Sequence, residues 1–506
     1  MISKMRADTL RWSFVAGLLI WCIILPGWLA VAQAVSSPVS RAKTSDVRLR
    51  RVSALMVSDF HFDPFHDPGK VQQLFDAPVS EWEGILDAPA SANQEQAEAV
   101  LQHRCGPRVL DTSNALLQSS LRAMRVYASD VKFVTFSGDL IAHGFACRFA
   151  SVVPGKTQSD YAGFVEKTMD YVMGELRKAE PGIPIYAALG NNDTGCGDYR
   201  MDAHSEFLAA AGKIILQGLP PSQERDRALE DFAAGGYYSV TMAAPMRKTR
   251  LIVLNDLFMS HNYAACDGKG DSTEANTEQA WLQKQLGEAR RQGQRVWVMG
   301  HIPPGVDIYA TAIKIKNVCD GNAAPEMFLT SEKLVEVLVA NADVVRLGIF
   351  AHTHMDELRL LGPEDGARKA TPKEMIAVKM VASISPVHGN KPTFTVAQID
   401  TVSATLVDYE VFVASNETGS DASWSQEYSY SQAYHEAAFA PPELERLVSE
   451  FKADPDAKTA VSQAFIRYFY AQDNSSLIKP LWPEYVCALT HDTSQGFSDC
   501  VCPSVH

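Results

Sequence analysis

Seven residues in this chain carry side chains suited to holding borderline divalent cations, and they recur where apolar runs end: Asp59 and His61, Asp139, Asn191, His301, and His352 with His354. Carboxylate, amide oxygen and imidazole are ligands for zinc, manganese or iron. Seven ligands are more than one ion normally needs, whereas two ions sharing a carboxylate use them all. Asp139, preceded by Gly138 and central in the order, is the natural bridge. Two ions about 3.5–4 Å apart generate a hydroxide at neutral pH and stabilise a phosphoryl transition state. Any one of these residues alone has an ordinary explanation, since strand-end Asp and Asn often cap helices. The ordered repetition is what points to a metal centre.

Such a set needs strands that end together. Val52 to Val57 reads as a buried strand leading to Asp59, and Val131 to Phe136 ends in Ser-Gly-Asp139-Leu-Ile-Ala-His143. Ile183 to Leu189 runs into Gly190-Asn191-Asn192-Asp193, Arg295 to Met299 into Gly300-His301, and Val344 to Phe350 into Ala351-His352-Thr-His354. Arg250 to Leu254 is a further strand. Loops at the carboxyl ends of parallel strands converge on one crevice. Helices are expected over 110–129, 161–177 and 280–291, and strand alternating with helix is the α/β signature. From Met380 to Val413 the pattern changes to strands alone, Met380 to Ile384, Thr393 to Ile399 and Thr405 to Phe412, with turns at Gly389-Asn390 and Thr401 to Ser403. From about Trp424 the chain reads as helical, and aromatics such as Phe451, Phe465 and Phe469 are expected in a core. Residues 64–108 read as a long loop with short helical pieces, and with 257–278 they are the candidate substrate-selecting loops.

With 506 residues, 46% of them hydrophobic and 21% charged, the chain can bury a substantial core. A net charge of −14 argues against nucleic-acid scaffold binding, which needs a basic surface. Lys4, Arg6 and Arg11 precede an apolar run over 12–32, and Ala32-Gln-Ala34 offers small residues for cleavage. Residues 1–34 are therefore expected to be a signal peptide, a retained membrane anchor being the alternative, with 35–50 a linker. Export, to a periplasm or outside the cell, fits the cysteines. Without Cys22 eight of the nine remain, an even number that favours disulfides whose pairing sequence does not reveal.

The order D-x-H, G-D, G-N-x-D, G-H and x-H-x-H on successive strands resembles the calcineurin-like metallophosphoesterases over about residues 50 to 410. The resemblance implies an α/β (α+β) fold, a two-sheet β-sandwich flanked by helices. A catalytic domain over 51–413 would be followed by a small C-terminal helical, disulfide-bearing subdomain over 414–506. It also implies that Asp59, His61, Asp139 and His354 hold one metal and Asp139, Asn191, His301 and His352 the other. Four further features are similar to the acid sphingomyelinase-like phosphodiesterase branch, which includes secreted nucleotide hydrolases and polyphosphatases. They are Gly138 to His143, Phe350 to Glu357, Ser383 to Pro386 followed by Gly389-Asn-Lys-Pro392, and a cysteine-bearing tail with Trp424 and Glu427-Tyr428. In that branch the His four residues after the bridging Asp lies near the leaving group, and His143 falls on that position.

There are two departures from the family pattern. Asn192 stands where most of the family has a His as general acid, and an amide cannot donate a proton as an acid. Leaving-group protonation then falls to His143 or water, or is unnecessary for a good leaving group; some endopolyphosphatase-like members share the G-N-N-D. Ala351 replaces a usual Gly. The resulting expectation is an exported dinuclear-metal phosphoesterase, with zinc, manganese or iron, that cleaves phosphodiester bonds by metal-activated hydroxide attack on phosphorus, with His143 and Asn192 at the catalytic positions. The alternatives are a phosphoanhydride hydrolase and a catalytically silent metal-binding homologue. Its substrate would be a lipid, nucleotide or polyphosphate ester, with transient membrane-surface contact for a lipid.

Overall fold

Apolar runs interrupted by Asp, Asn and His become parallel strands in the computed structural model, which describes residues 50–106, 111–315, 318–320, 323–363, 371–471 and 478–502. The expected signal segment, 1–34, and nearly all of the linker, 35–50, lie outside the described residues. The strands are β1 (Arg51–Val57), β2 (Val131–Phe136), β3 (Ile185–Ala187), β4 (Tyr238–Thr241), β5 (Thr249–Val253), β6 (Arg295–Met299), β7 (Val345–Phe350), β8 (Glu357–Leu361), β9 (Ile376–Met380), β10 (Thr393–Asp400), β11 (Thr405–Ala414) and β12 (Trp424–Ser429). They form two six-stranded sheets, ordered β12-β11-β10-β1-β2-β3 and β4-β5-β6-β7-β9-β8.

Each sheet has a parallel part, β1-β2-β3 in one and β5-β6-β7-β9 in the other, and antiparallel strands complete it. Strands covered on both faces read as continuous apolar runs, which is why the central ones are legible in sequence. The strands the sequence reading passes over, β4, β8 and β12, lie at three of the four sheet edges and carry Ser, Thr, Glu, Arg or Gln. Edge strands commonly carry such polar residues. Segment 424–429, expected to be helical, thus adds to the first sheet before the tail turns helical at Tyr430–Tyr434.

The strand expected over 380–384 is displaced: β9 ends at Met380. Lys379 interrupts the run, with its ammonium buried against Asp356, which also accepts from the Tyr428 hydroxyl at 2.7 Å. Ser383 to Ser385 instead bond to the loops of the site, Ser383 N to His354 O at 3.2 Å and Ser385 N to Asp59 O at 3.0 Å.

The sheets share one core. The Trp297 indole donates to Ala404 O at 2.7 Å and meets Phe133 edge-on at 5.8 Å, while the Tyr238 hydroxyl bonds both backbone groups of Ala187. Helices Asn114–Tyr127, Gln158–Ala179 and Thr273–Arg291 correspond to the three expected, the last starting seven residues before 280. The loop expected over 64–108 is, as far as residue 106, largely helical, including the twelve-residue Gln94–Cys105, whose polar sequence buries only Glu98 and Leu101 and so shows no apolar period. In the tail, Pro441–Lys452 buries Leu444, Leu447, Val448 and Phe451. No helix among the described residues is long and apolar enough to cross a membrane.

Candidate metal and catalytic site

Five of the seven candidate ligands have left-handed backbone: Asp59 (φ 48°), His61 (44°), Asp139 (62°), His352 (71°) and His354 (67°). Such a conformation costs a non-glycine residue on the order of 1 kcal/mol or more, and clusters where surrounding structure enforces it. Here the enforcement is loop against loop. Asp59 N donates to Gly138 O at 2.9 Å, His61 N to Asp139 O at 3.0 Å, and Ala351 N to His301 O at 2.9 Å. Ala351, one of the two departures noted in the sequence, is fully buried and makes that hydrogen bond. Asp193 fastens two more loops, its carboxylate accepting from the N–H groups of Asp139, Leu140, Ile141 and Gly190 at 2.8–3.2 Å. Asp256, beyond β5, holds the β6 loop by accepting from His301 N at 2.9 Å and Ile302 N at 3.0 Å. Gly138, at φ +98°, leaves room for the junction: a methyl there would come within 2.8 Å of Gly190 N and His301 Nδ1.

All seven side chains meet. His61 Nε2 lies 3.4 Å from Asp139 Oδ2, 3.7 Å from Asp59 Oδ1 and 3.1 Å from His354 Nε2, and His354 Nε2 lies 3.4 Å from Asp59 Oδ1. On the other side of Asp139, His301 Nε2 stands 3.1 Å from the same Oδ2 and 3.2 Å from Asn191 Oδ1, with His352 Nδ1 at 3.3 Å. Asp59, His61 and Asp139, and separately Asp139, His301 and His352, are groups that could hold a metal ion, and they share Asp139.

Hydrogen bonds on the far side of three of the four rings, all but His354, aim the free nitrogen inward. His61 gives Nδ1–H to Ile141 O at 3.0 Å and His301 gives Nδ1–H to Ser137 O at 2.8 Å, so each presents Nε2. His352 has Tyr199 Oη at 3.1 Å from Nε2 and presents Nδ1. Asn191 gives its amide N–H to Asp198 at 2.7 Å, which turns its oxygen towards His301.

The donor set fits a cation. Both carboxylate oxygens of Asp59 are buried without a hydrogen-bond partner. Burial pulls the His61 imidazole down, but Asp139 and then Asp59 and Asp111 overcome it and raise it to about 9. His301 is raised to about 10 against its burial, chiefly by Asp139. Burial and the neighbouring imidazoles, in contrast, hold His352 and His354 well below the usual histidine range. The buried negative field that lifts the two central rings is the field a divalent cation answers.

His143 stacks on His61 with ring centroids 3.9 Å apart, and one of its ring nitrogens lies within 4.8 Å of nitrogens of His61 and His354. Its Nδ1 stands 3.0 Å from Asp111 Oδ1, a residue the sequence reading did not single out. Burial pushes the Asp111 carboxyl up, but the His143 charge and hydrogen bonds outweigh it and hold the group well below the usual carboxylate range. Asn192 instead donates to Asp139, its backbone N–H to Oδ1 at 2.8 Å and its side-chain amide to Oδ2 at 2.9 Å. The group opens into a cleft of about 340 Å³ with Tyr309, Phe328 and Arg359 in its wall. Phe469, Tyr470 and Tyr485 of the tail line it too, so Phe469, expected in a core, also borders the site.

A family model described as calcineurin-like phosphoesterase matches residues 54–356. The chain is 24% identical over 407 residues to the cyclic GMP-AMP phosphodiesterase SMPDL3A of Mus musculus, covering 78% of this chain and 83% of that protein. It is 23% identical over 421 residues to the sphingomyelinase phosphodiesterase C of Dictyostelium discoideum, covering 80% and 84%. A solved dimetal phosphatase from Danio rerio aligns with a TM-score of 0.36 and 11% identity, over 74% of this chain and 98% of that one.

Proposed function

Because the chain belongs to the calcineurin-like phosphoesterases, hydrolases of phosphoric esters, we propose that it is an exported phosphodiesterase working with two divalent metal ions, zinc or else manganese or iron. The observation that carries the reading is Asp139 Oδ2, shared at 3.4 and 3.1 Å between the His61 and His301 sides of one buried cluster. Asp59, His61, Asp139 and His354 would hold one ion, and Asp139, Asn191, His301 and His352 the other. When bound, such a pair neutralises phosphoryl charge and makes a nucleophile available at neutral pH.

The remaining residues orient and donate. Asn192 steadies Asp139 and has its amide committed there, so it is no candidate for the leaving-group acid. His143 borders the same cleft and takes that role. The relatives are named for a cyclic dinucleotide and for sphingomyelin, both phosphodiesters, which supports that bond type here. A lipid ester would bring the cleft transiently to a membrane surface. Export is supported by four disulfides, which persist in oxidising compartments. One observation favours a second reading, hydrolysis of phosphoanhydrides such as polyphosphate or nucleoside triphosphates: Asn192 is not an acid, and an anhydride leaving group needs none.

The test is hydrolysis of sphingomyelin, bis-p-nitrophenyl phosphate, ATP and polyphosphate by the metal-loaded protein, with and without chelator. Cleavage of a diester that chelator abolishes is the expected result. Turnover confined to ATP or polyphosphate would select the second reading, and silence across the panel with both ions bound would leave a metal-binding homologue.

A further inference from the structure

We propose that Asp111, fixed in place by Ser385, is the positioning residue that holds His143 in register for proton donation to the leaving group. The inference rests on the reading of His143 as acid and adds two residues, Asp111, which lies in no motif of the sequence, and Ser385, from the Ser383 to Pro386 segment.

The geometry around Asp111 is unusually closed. Its Oδ2 accepts the backbone N–H of His143 at 2.8 Å, and its oxygens lie 3.0 and 3.2 Å from His143 Nδ1. A carboxylate cannot donate, so Nδ1 carries the hydrogen and Nε2 is left for the cleft. Ser385 donates its hydroxyl to Asp111 Oδ1 at 2.9 Å. The main chain beside Asp111 is also held: Thr112 N donates to His61 O at 3.1 Å and Thr112 O accepts from Asp63 N at 2.9 Å. Asp111 is therefore tied to the same strand end that carries Asp59 and His61, and the imidazole it grips stacks on His61.

Ser385 is in turn the end of a strut. Asn390 Nδ2 donates to Ser383 Oγ at 2.9 Å and to Ser385 O at 3.0 Å, while Ser383 Oγ donates to Ser385 O at 2.6 Å. The segments Ser383 to Pro386 and Gly389 to Pro392 thereby acquire a purpose, since they brace the carboxylate behind His143. A filler role does not account for this arrangement. One backbone N–H would satisfy a buried carboxylate's nearest need, whereas here the side-chain ring of His143 is gripped as well.

In the step this serves, the oxygen of water bonds to phosphorus and its proton passes to solvent. The bond from phosphorus to the leaving oxygen breaks with its electron pair on that oxygen. The Nε2 proton of the doubly protonated His143 ring transfers to it, leaving a neutral imidazole whose Nδ1–H remains hydrogen-bonded to the Asp111 carboxylate. Such assistance typically contributes about 10²–10⁴-fold, and only where the leaving group is basic.

The experiment is a cycle of Asp111→Asn, His143→Ala and the double variant, each assayed on an alkyl phosphodiester and on bis-p-nitrophenyl phosphate, with metal content measured. An amide can present the wrong hydrogen to Nδ1, so Asp111→Asn should slow the alkyl ester by about 100-fold. It should slow the activated ester less than about fivefold and add nothing once His143 is gone. Ser385→Ala, a gentler change, should show the same leaving-group bias at smaller size. Equal losses on both esters, or a full further loss in the His143→Ala background, would overturn the role of Asp111. If His143→Ala itself shows no leaving-group bias, the acid assignment under it fails instead, so the two failures are distinguishable.

Discussion

Gly190 sits so close to Asp139, the proposed bridge, that a methyl group there would lie 2.1 Å from its Oδ1. Gly190→Ala should therefore push Asp139 aside, because the added methyl would also lie 2.4 Å from its backbone N and 2.5 Å from its Cγ. Displacing a reacting group by about 1 Å typically costs on the order of 100-fold in rate. The expected result is that loss in kcat/KM with reduced metal content by elemental analysis and a near-normal circular dichroism spectrum. A variant with two ions and full turnover would refute the packing argument. At this scale the candidate residues that the structure brings together are legible, since Asp, Asn and His each interrupt an apolar run. Asp111, Asp193 and Asp256 are not, for a physical reason: they act by accepting N–H groups from loops distant in sequence. Asp193 lay inside a quoted motif and Asp256 follows a recognised strand, but Asp111 follows no apolar run and carried no signal.

Helix Gln158–Ala179 shows what one element's ends contribute. It begins with a reciprocal cap, Thr157 accepting from Asp160 N and Asp160 accepting from Thr157 N, and it ends at Glu180. A carboxylate at a helix C-terminus faces the negative end of the dipole. Glu180 is buried with one oxygen lacking a hydrogen-bond partner, and burial, only partly offset by Arg125, raises it to about 7. The folded state thus holds this proton more tightly than the unfolded chain, whose glutamate titrates near 4.5. Stability should fall as pH rises from about 4.5 to 7, with the cost fully present above that window. Glu180→Gln should leave stability at pH 4.5 nearly unchanged and raise it at pH 8, by on the order of 1 kcal/mol. Denaturant melts at the two pH values check this; an equal effect at both would mean that charge is not the cause. Elements also differ in how plainly sequence announces them. The buried parallel strands come through as apolar runs, and edge strands β4, β8 and β12 do not, because polar residues interrupt them: Ser239 and Thr241 in β4, Glu357 and Arg359 in β8, and Ser425, Gln426 and Glu427 in β12.

At the scale of the whole molecule, two disulfides have a cysteine four residues after His143 or Asn192, and two fasten the tail. Cys147 follows His143 by four residues and joins Cys105; Cys196 follows Asn192 by four and joins Cys266. Cys319–Cys502 and Cys487–Cys500 fasten the helical tail, whose Phe469, Tyr470 and Tyr485 wall the cleft. Sequence announced eight cysteines but not this pairing, since partners are brought together only by the folded sheets and tail. Their sequence separations rank their effect on the unfolded chain. Cys319–Cys502 spans 183 residues and Cys487–Cys500 spans 13. Loop-closure entropy assigns the first about 5 kcal/mol and the second about 3 kcal/mol. Replacing Cys319 and Cys502 together by Ser should therefore lower the denaturant midpoint more than replacing Cys487 and Cys500. Neither pair touches the candidate ligands, so turnover of bis-p-nitrophenyl phosphate at low denaturant should persist in both. The opposite order of midpoints would mean that the short bridge acts through the packing of helices Trp482–Ala488 and Ser494–Val501 in the folded state. Stability would then reside in the tail's own contacts, and the long bridge would serve mainly to keep that tail, with its cleft-lining rings, against the sheet.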